Sequence, residues 1–299
     1  MDQDAPDVQN EDAPRPYRLS RVGVKGVQKP VRVHRPGQEP HDVTVRFDLF
    51  VDLPSTQKGT HMSRNLEALA DVLDGHIVDR EARSVENLCR RIAASLLERH
   101  DYAQEALVRA QTTFFLPQKN PGGKPTLEAY GLEAEAHARR RGDGAPSVRR
   151  RLGVRVVGAS ACPCAMEVAR HKFAEAGKPV PEDLPFITHN QRNILTLRLD
   201  LPDDLDLEAA ELVALCEGSL SAPTFEYLKR GDEGDLVIQA HHDPKFVEDV
   251  VREALHQVTA QWPELPDATC VFASSEAEES IHKHNAYAER ETTLGELRA

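Results

Sequence analysis

The chain has 299 residues, which suffices for one large domain or two modest ones. Hydrophobic residues make up 40%, enough for a core, and the formal net charge of -12 argues against nonspecific nucleic-acid binding, which requires a broad basic face. A local basic pocket for a small anion remains compatible with that charge.

The five cysteines (Cys89, Cys162, Cys164, Cys216 and Cys270) are odd in number and irregular in spacing. That is a poor disulfide framework and fits a reducing cytoplasm. No run of about 18 apolar residues predicts a membrane span. Residues 1–16 are polar and acidic, lack the pattern of a signal peptide, and read as a flexible tail.

Along the chain, Val31 to His34 is a short strand candidate. Val43 to Leu53 is the clearest strand, with Val43, Val45, Phe47, Leu49, Val51 and Leu53 alternating with mostly polar residues. Ser63 to Asp74 and Ser84 to His100 carry apolar stripes at helical spacing; Gly75 closes the first and Ser84 caps the second. Glu105 to Leu116 and Thr126 to Ala138 read as strands around a Pro/Gly-rich turn.

After a polar break at Gly142 to Pro146 and a basic cluster at Arg149 to Arg151, the order repeats. Leu152 to Ala161 and Asn193 to Leu201 are strands, with a helix-forming run from Ala165 to Ala176 between them. Leu207 to Gly218 and Pro244 to Gln261 are helices, the latter with Asp243 as N-cap. Ala268 to Ser274 and Ser280 to Arg290 are strands. Each half therefore reads strand, strand, helix, helix, strand, strand, an α+β pattern of antiparallel hairpins with helices on one face. The expected division is a tail over 1–16, one unit over 17–148 and a second over 149–299.

Several clusters could carry chemistry. Cys162-Pro163-Cys164 places two thiols at a strand end, able to bind a metal or act as a nucleophile, or simply to pack as small apolar groups. His282 and His284 share a face if the segment is a strand, and Glu279 could orient one of their rings. Thr188 to Arg192 packs hydrogen-bonding side chains around His189. Glu233 lies in a charged run and Glu248 near a helix start, each equally readable as ordinary surface charge. Lys58, His61, Ser63 and Arg64 converge where a helix begins, as an anion site would require. Together these groups suit Zn, Fe(II) or Mn.

The motifs KGTHMSR (58–64), SACPC (160–164), THNQR (188–192), LKRGDE (228–233), PKFVED (244–249) and SIHKHNAYA (280–288), in this order, resemble the type IB GTP cyclohydrolases. The resemblance spans residue 18 to the C-terminus. It implies a tandem tunnelling fold of two ββααββ units, assembled as a homodimer or homotetramer with sites at subunit interfaces. It further implies hydrolytic opening of the GTP imidazole ring at C8, release of formate and rearrangement to a 7,8-dihydroneopterin. One divalent metal per subunit, Fe(II) before Zn or Mn, would activate the water.

On this resemblance Cys162 and Glu233 match metal ligands, with His189 and His282 as imidazole ligands. Cys164 and His284 would stand near the reacting ring, and Glu248 would anchor the guanine edge. Lys58, His61, Ser63, Arg64 and Arg192 are candidates for the triphosphate from their charge. The long Ala165 to Thr188 loop and the C-terminal extension from Glu289 resemble the archaeal methanopterin branch, which makes a 2′,3′-cyclic phosphate. The HMSR run resembles the folate branch, which makes the triphosphate. Two other readings are a tunnelling-fold nitrile reductase using Cys164 as nucleophile and a non-catalytic purine-binding relative.

Overall fold

The computed structural model describes residues 6–33, 41–79, 84–142, 144–181, 184–202 and 205–299. Its contacts divide into two compact units, and the strands β3, β4 and β5 named below contribute residues to each.

The first unit comprises residues 1–113, 133–152 and 201–205. It contains β1 (Leu19–Val33), β2 (His41–Leu53), α1 (Met62–Asp79) and α2 (Val85–Arg99). It also takes the start of β3 (Glu105–Lys119), the end of β4 (Pro125–Arg139) and the start of β5 (Ser147–Ala161). Strand β2 runs antiparallel to β1 and to β3. Its alternation is the origin of the core: Val45, Phe47, Leu49, Val51 and Leu53 are all buried. Helix α2 begins where the Ser84 side chain accepts from the Asn87 N–H, and it buries Leu88, Ile92 and Leu96 along one stripe. Helix α1 is tied to the sheet by the Asn65 amide, which donates to the Leu49 carbonyl at 3.2 Å.

The second unit comprises residues 114–132, 153–200 and 206–299. Beyond its share of β3 to β5 it contains α3 (Pro163–Glu175), β6 (Asn190–Leu201), α4 (Ala209–Ser219), β7 (Ala222–Pro223) and α5 (Arg230–His242). Then come α6 (Val247–Gln261), β8 (Cys270–Ala277), β9 (Ala286–Thr293) and α7 (Leu294–Arg298). The antiparallel order β6-β8-β9 buries Leu195, Leu197 and Leu199 on one face of β6, and α6 packs on β8 and β9. The α+β class and the antiparallel hairpins expected from the sequence are present.

Several boundaries differ from expectation for identifiable reasons. Strand β1 is far longer than its expected end at Val31 to His34, because two register shifts, at Leu19/Val22 and Val24/Val27, break its alternation. Of that expected segment, His34 lies outside the described residues. Helix α1 continues through Gly75 to Asp79. Helix α6 starts at Val247 rather than Pro244, since the Asp249 carboxylate accepts from the Phe246 N–H and sets the first turn there. Helix α5 was not expected at all; its sequence has no apolar stripe.

Arg149 to Arg151 is not simply a surface cluster. Arg150 is 1% exposed, and its guanidinium donates to Asn87 Oδ1 and to the carbonyls of Pro202 and Leu205. Of the acidic N-terminal segment, residues 1–5 lie outside the described residues. The rest includes a 3-10 turn at Val8–Asn10, and the Gln9 and Glu11 carbonyls accept from the N–H groups of Gly59 and Lys58. In the polar break from Gly142 to Pro146, residue 143 lies outside the described residues, and Gly142 adopts φ +56°. At the other end Leu294 is buried, and the Arg298 guanidinium donates to the Trp262 and Leu265 carbonyls and to Asp267. Among the described residues no helix is long and apolar enough to cross a membrane.

Candidate active site

Strand β5 ends at Ala161, and the chain turns directly into α3 with Cys162 as its N-cap and Pro163 in the first helical position. Proline suits that position because its fixed φ is already helical and it lacks an N–H that would go unpaired. The Cys162 sulfur accepts from the Ala165 N–H at 3.4 Å. Cys162 is half-buried; Cys164, within the first turn, is exposed.

The neighbouring chain is the entry to β6. The Cys162 N–H donates to the His189 carbonyl at 3.1 Å, and the Thr188 hydroxyl donates to the Cys162 carbonyl at 2.7 Å. These bonds fix Cys162 and His189 side by side. The His189 ring is well buried, with Nδ1 2.9 Å from Gln191 Oε1 and 3.5 Å from Glu279 Oε2. That Glu279 oxygen is buried and makes no hydrogen bond among the described residues.

His282 and His284 were expected on a strand. They lie instead in the loop between β8 and β9, because β8 ends at Ala277 and pairing with β9 resumes only at Ala286. They still come together: their rings stack at 5.2 Å, nearly parallel, and His282 meets the His189 ring edge-on at 6.4 Å. Glu279 was expected to orient one ring of the HxH pair; its ion-pair contact is with His189.

Glu248 lies in the first turn of α6. The approach to that helix is held against the end of β5 by the Lys245 N–H, which donates to the Ala161 carbonyl at 3.1 Å. Glu248 lines a groove of about 360 Å³ together with Val251 and Leu255 of α6 and Ala288 and Arg290 of β9. Glu233 is exposed on α5. Arg192 is exposed on β6 and pairs with Glu278 at 3.1 Å.

The remaining candidates belong to the first unit. Lys58 pairs with Glu11 at 2.7 Å and His61 with Asp7 at 2.9 Å, while Arg64 donates to the Arg99 carbonyl. Ser63 lies in the first turn of α1. Behind this loop runs a buried polar chain. Asn65 Oδ1 faces His100 Nε2 at 2.8 Å, His100 Nδ1 lies 2.9 Å from the Tyr102 hydroxyl, and that hydroxyl bonds Thr60. Burial pushes the His100 ring down to a pKa of about 4, and the positive charge of Arg64 adds to the effect.

A thiol and imidazoles are the donors that Zn or Fe(II) takes, so the set fits a divalent metal in kind. It is open in geometry: among the described residues no three His, Cys, Asp or Glu groups stand close enough to hold an ion. Three further residues support the site, two of them within the SACPC and THNQR runs. Gln191, Asn193 and Ser160 form a hydrogen-bonded patch beside His189. The signal was available, since His189, Gln191 and Asn193 alternate on the strand face that continues as Leu195, Leu197 and Leu199.

The architecture is that of uricase-type tunnelling folds. Over 92% of this chain it superposes on 93% of the uricase of Arthrobacter globiformis with a TM-score of 0.56 at 10% identity. The urate oxidase of Bacillus sp. TB-90 matches over 92% of this chain and 100% of its own at 0.50. Identities so low speak to the fold alone. Residues 5–288 match the family described as type I GTP cyclohydrolase folE2, and the chain belongs to that family. It is 40% identical to the GTP cyclohydrolase MptA of Methanothermobacter thermautotrophicus, covering 98% of this chain and 95% of the relative. To the protein of the same name from Methanoculleus marisnigri it is 40% identical, with coverage of 98% and 96%.

Proposed function

We propose that this chain opens the imidazole ring of GTP by hydrolysis, releases formate and yields a 7,8-dihydroneopterin, with the 2′,3′-cyclic phosphate as product; pyrophosphate leaves as a hydroxyl of the sugar-derived chain attacks the α-phosphorus. The observation that carries the reading is the meeting of Cys162, His189 and His282 beside Glu279, in a chain of the GTP cyclohydrolase family. The relatives from methanogens favour the archaeal branch, for which the family resemblance implies the cyclic phosphate.

One divalent metal, Fe(II) before Zn or Mn, would be held by Cys162, His189 and His282, with Glu233 as the carboxylate ligand of the family pattern. When bound it supplies Lewis acidity at the reacting carbon. The chain's own groups do the rest. Glu248 accepts from the guanine N–H edge and orients the base. His284, stacked on His282, exchanges protons with the ring nitrogens as one water adds at C8 and the C8–N9 bond breaks. A second water then releases C8 as formate. Cys164, exposed in the first turn of α3, would stand near the reacting ring. Lys58, His61, Ser63, Arg64 and Arg192 receive the phosphates. Assembly into a homodimer or homotetramer, a cytoplasmic location, and tandem units over 17–148 and 149–299 belong to the same reading.

The test is anaerobic incubation of Fe(II)-reconstituted protein with GTP, followed by assay of formate and of fluorescent pterin after oxidation. Mass analysis then separates cyclic phosphate from triphosphate. Absence of pterin with Fe(II), Mn and Zn overturns the activity. Cys162→Ala and His282→Ala are each expected to lower bound metal and turnover together, and unchanged metal content in both would overturn the ligand assignment.

A further inference from the structure

We infer that Gln191 is the positioning residue that holds the His189 proton on Nδ1 and leaves Nε2 bare, and that Ser160 and Asn193 hold Gln191 in the orientation this needs. The inference rests on the reading of His189 as a metal ligand, but its core concerns the ring itself.

A neutral imidazole carries its proton on one nitrogen, and the partner of each nitrogen decides which. Two oxygen atoms surround His189 Nδ1. Gln191 Oε1 is at 2.9 Å, and Glu279 Oε2, buried and without a hydrogen bond among the described residues, is at 3.5 Å. A bare Nδ1 would set its lone pair against that carboxylate oxygen. An N–H there serves Gln191 at close range and faces Glu279 favourably. The proton therefore belongs on Nδ1, and Nε2 keeps the lone pair that a metal requires.

The amide of Gln191 could satisfy Nδ1 with either end, so something must fix it. Its Nε2 donates to Ser160 Oγ at 3.4 Å. Ser160 Oγ also receives Asn193 Nδ2 at 3.5 Å, and Asn193 Oδ1 in turn accepts from the Ser275 hydroxyl at 2.8 Å. Ser160, Asn193 and Ser275 are each at most 1% exposed and Gln191 is half-buried, so the far end of this chain of bonds is anchored in the core. The patch also ties two motifs together: Ser160 opens the SACPC run and Gln191 belongs to THNQR.

The test uses metal-free, full-length protein labelled with 15N-histidine, the His189 signals being assigned with a His189→Ala variant. Nδ1 is expected in the N–H range and Nε2 in the bare range. Gln191→Leu is expected to release the ring into a mixture of tautomers and to weaken Zn(II) binding, measured against a chromophoric chelator, by about 10–100-fold. Gln191→Glu, which keeps the acceptor, is expected to stay within about 3-fold of the wild type. If Gln191→Leu does not fold, Ser160→Ala leaves Gln191 in place, and its expected result is the same mixing of tautomers. A wild-type ring with its proton on Nε2, or a folded Gln191→Leu with wild-type tautomer and affinity, overturns the inference. The His189→Ala variant separates the two readings. Wild-type Zn(II) affinity there overturns the ligand assignment, while the metal-free tautomer still decides the role of Gln191.

Discussion

At the residue scale, His100 makes the clearest prediction. It is fully buried, its ring is held between Asn65 and Tyr102, and its pKa is pushed down to about 4. An unfolded histidine titrates near 6.5, so between these values the unfolded chain binds a proton that the folded chain refuses. Stability from this group is complete above about pH 6.5 and declines as the pH falls toward 4. At pH 5 the loss is about 2 kcal/mol relative to pH 7.5. Urea unfolding of the wild type and of His100→Gln at both pH values isolates it. The gap between the two proteins should narrow by about that amount at the lower pH, and a constant gap would refute the assignment. The residue types of the candidate site were legible in the sequence, because thiols, imidazoles and carboxylates declare their chemistry. What they touch was not. That Glu279 faces His189, and that Asp7 and Glu11 hold His61 and Lys58, depends on loop paths that no periodicity encodes.

At the scale of elements, β2, α2 and β6 were legible because burial on one face leaves a regular apolar rhythm. Strand β1 was largely illegible because its register shifts interrupt that rhythm, and α5 because it buries little apolar surface. The segment around His282 and His284 was misread as strand, since a loop that happens to alternate looks the same in sequence. Gly158 marks a constraint of this scale. It sits in β5 opposite Pro223 of β7, four residues before Cys162. A Cβ there would lie 2.6 Å from Leu220 Cδ1 and 2.8 Å from the Ala222 carbonyl oxygen. The leucine tip can turn away, but the carbonyl belongs to the paired backbone and cannot without parting the strands. Gly158→Ala is expected to cost about 1–3 kcal/mol, seen as a lowered Tm. Bound metal should fall with it, because the same strand end carries Cys162, the proposed ligand. A Tm within a degree of the wild type would show that β7 can move away freely.

At the scale of the whole molecule, a protein of net charge -12 must bind one of the most anionic small metabolites. Its long-range field opposes GTP, so affinity has to come from local cations. The groups proposed to receive the phosphates are already engaged: Lys58 with Glu11, the His61 ring with Asp7, and Arg192 with Glu278. A triphosphate that uses Lys58 and His61 must first displace two carboxylates of the N-terminal segment. Both pairs are partly exposed, so each is weak and readily displaced. Removing the competitors while keeping the cations should therefore help the substrate. The double variant Asp7→Asn/Glu11→Gln is expected to lower KM for GTP by about 2–5-fold at low ionic strength with kcat unchanged. The advantage should shrink as salt rises from about 0.05 to 0.3 M, because screening weakens exposed pairs and phosphate contacts alike. Steady-state kinetics at two salt concentrations decides it: a KM that stays constant or rises in the double variant would place the phosphates on other groups and leave the KGTHMSR loop a structural role.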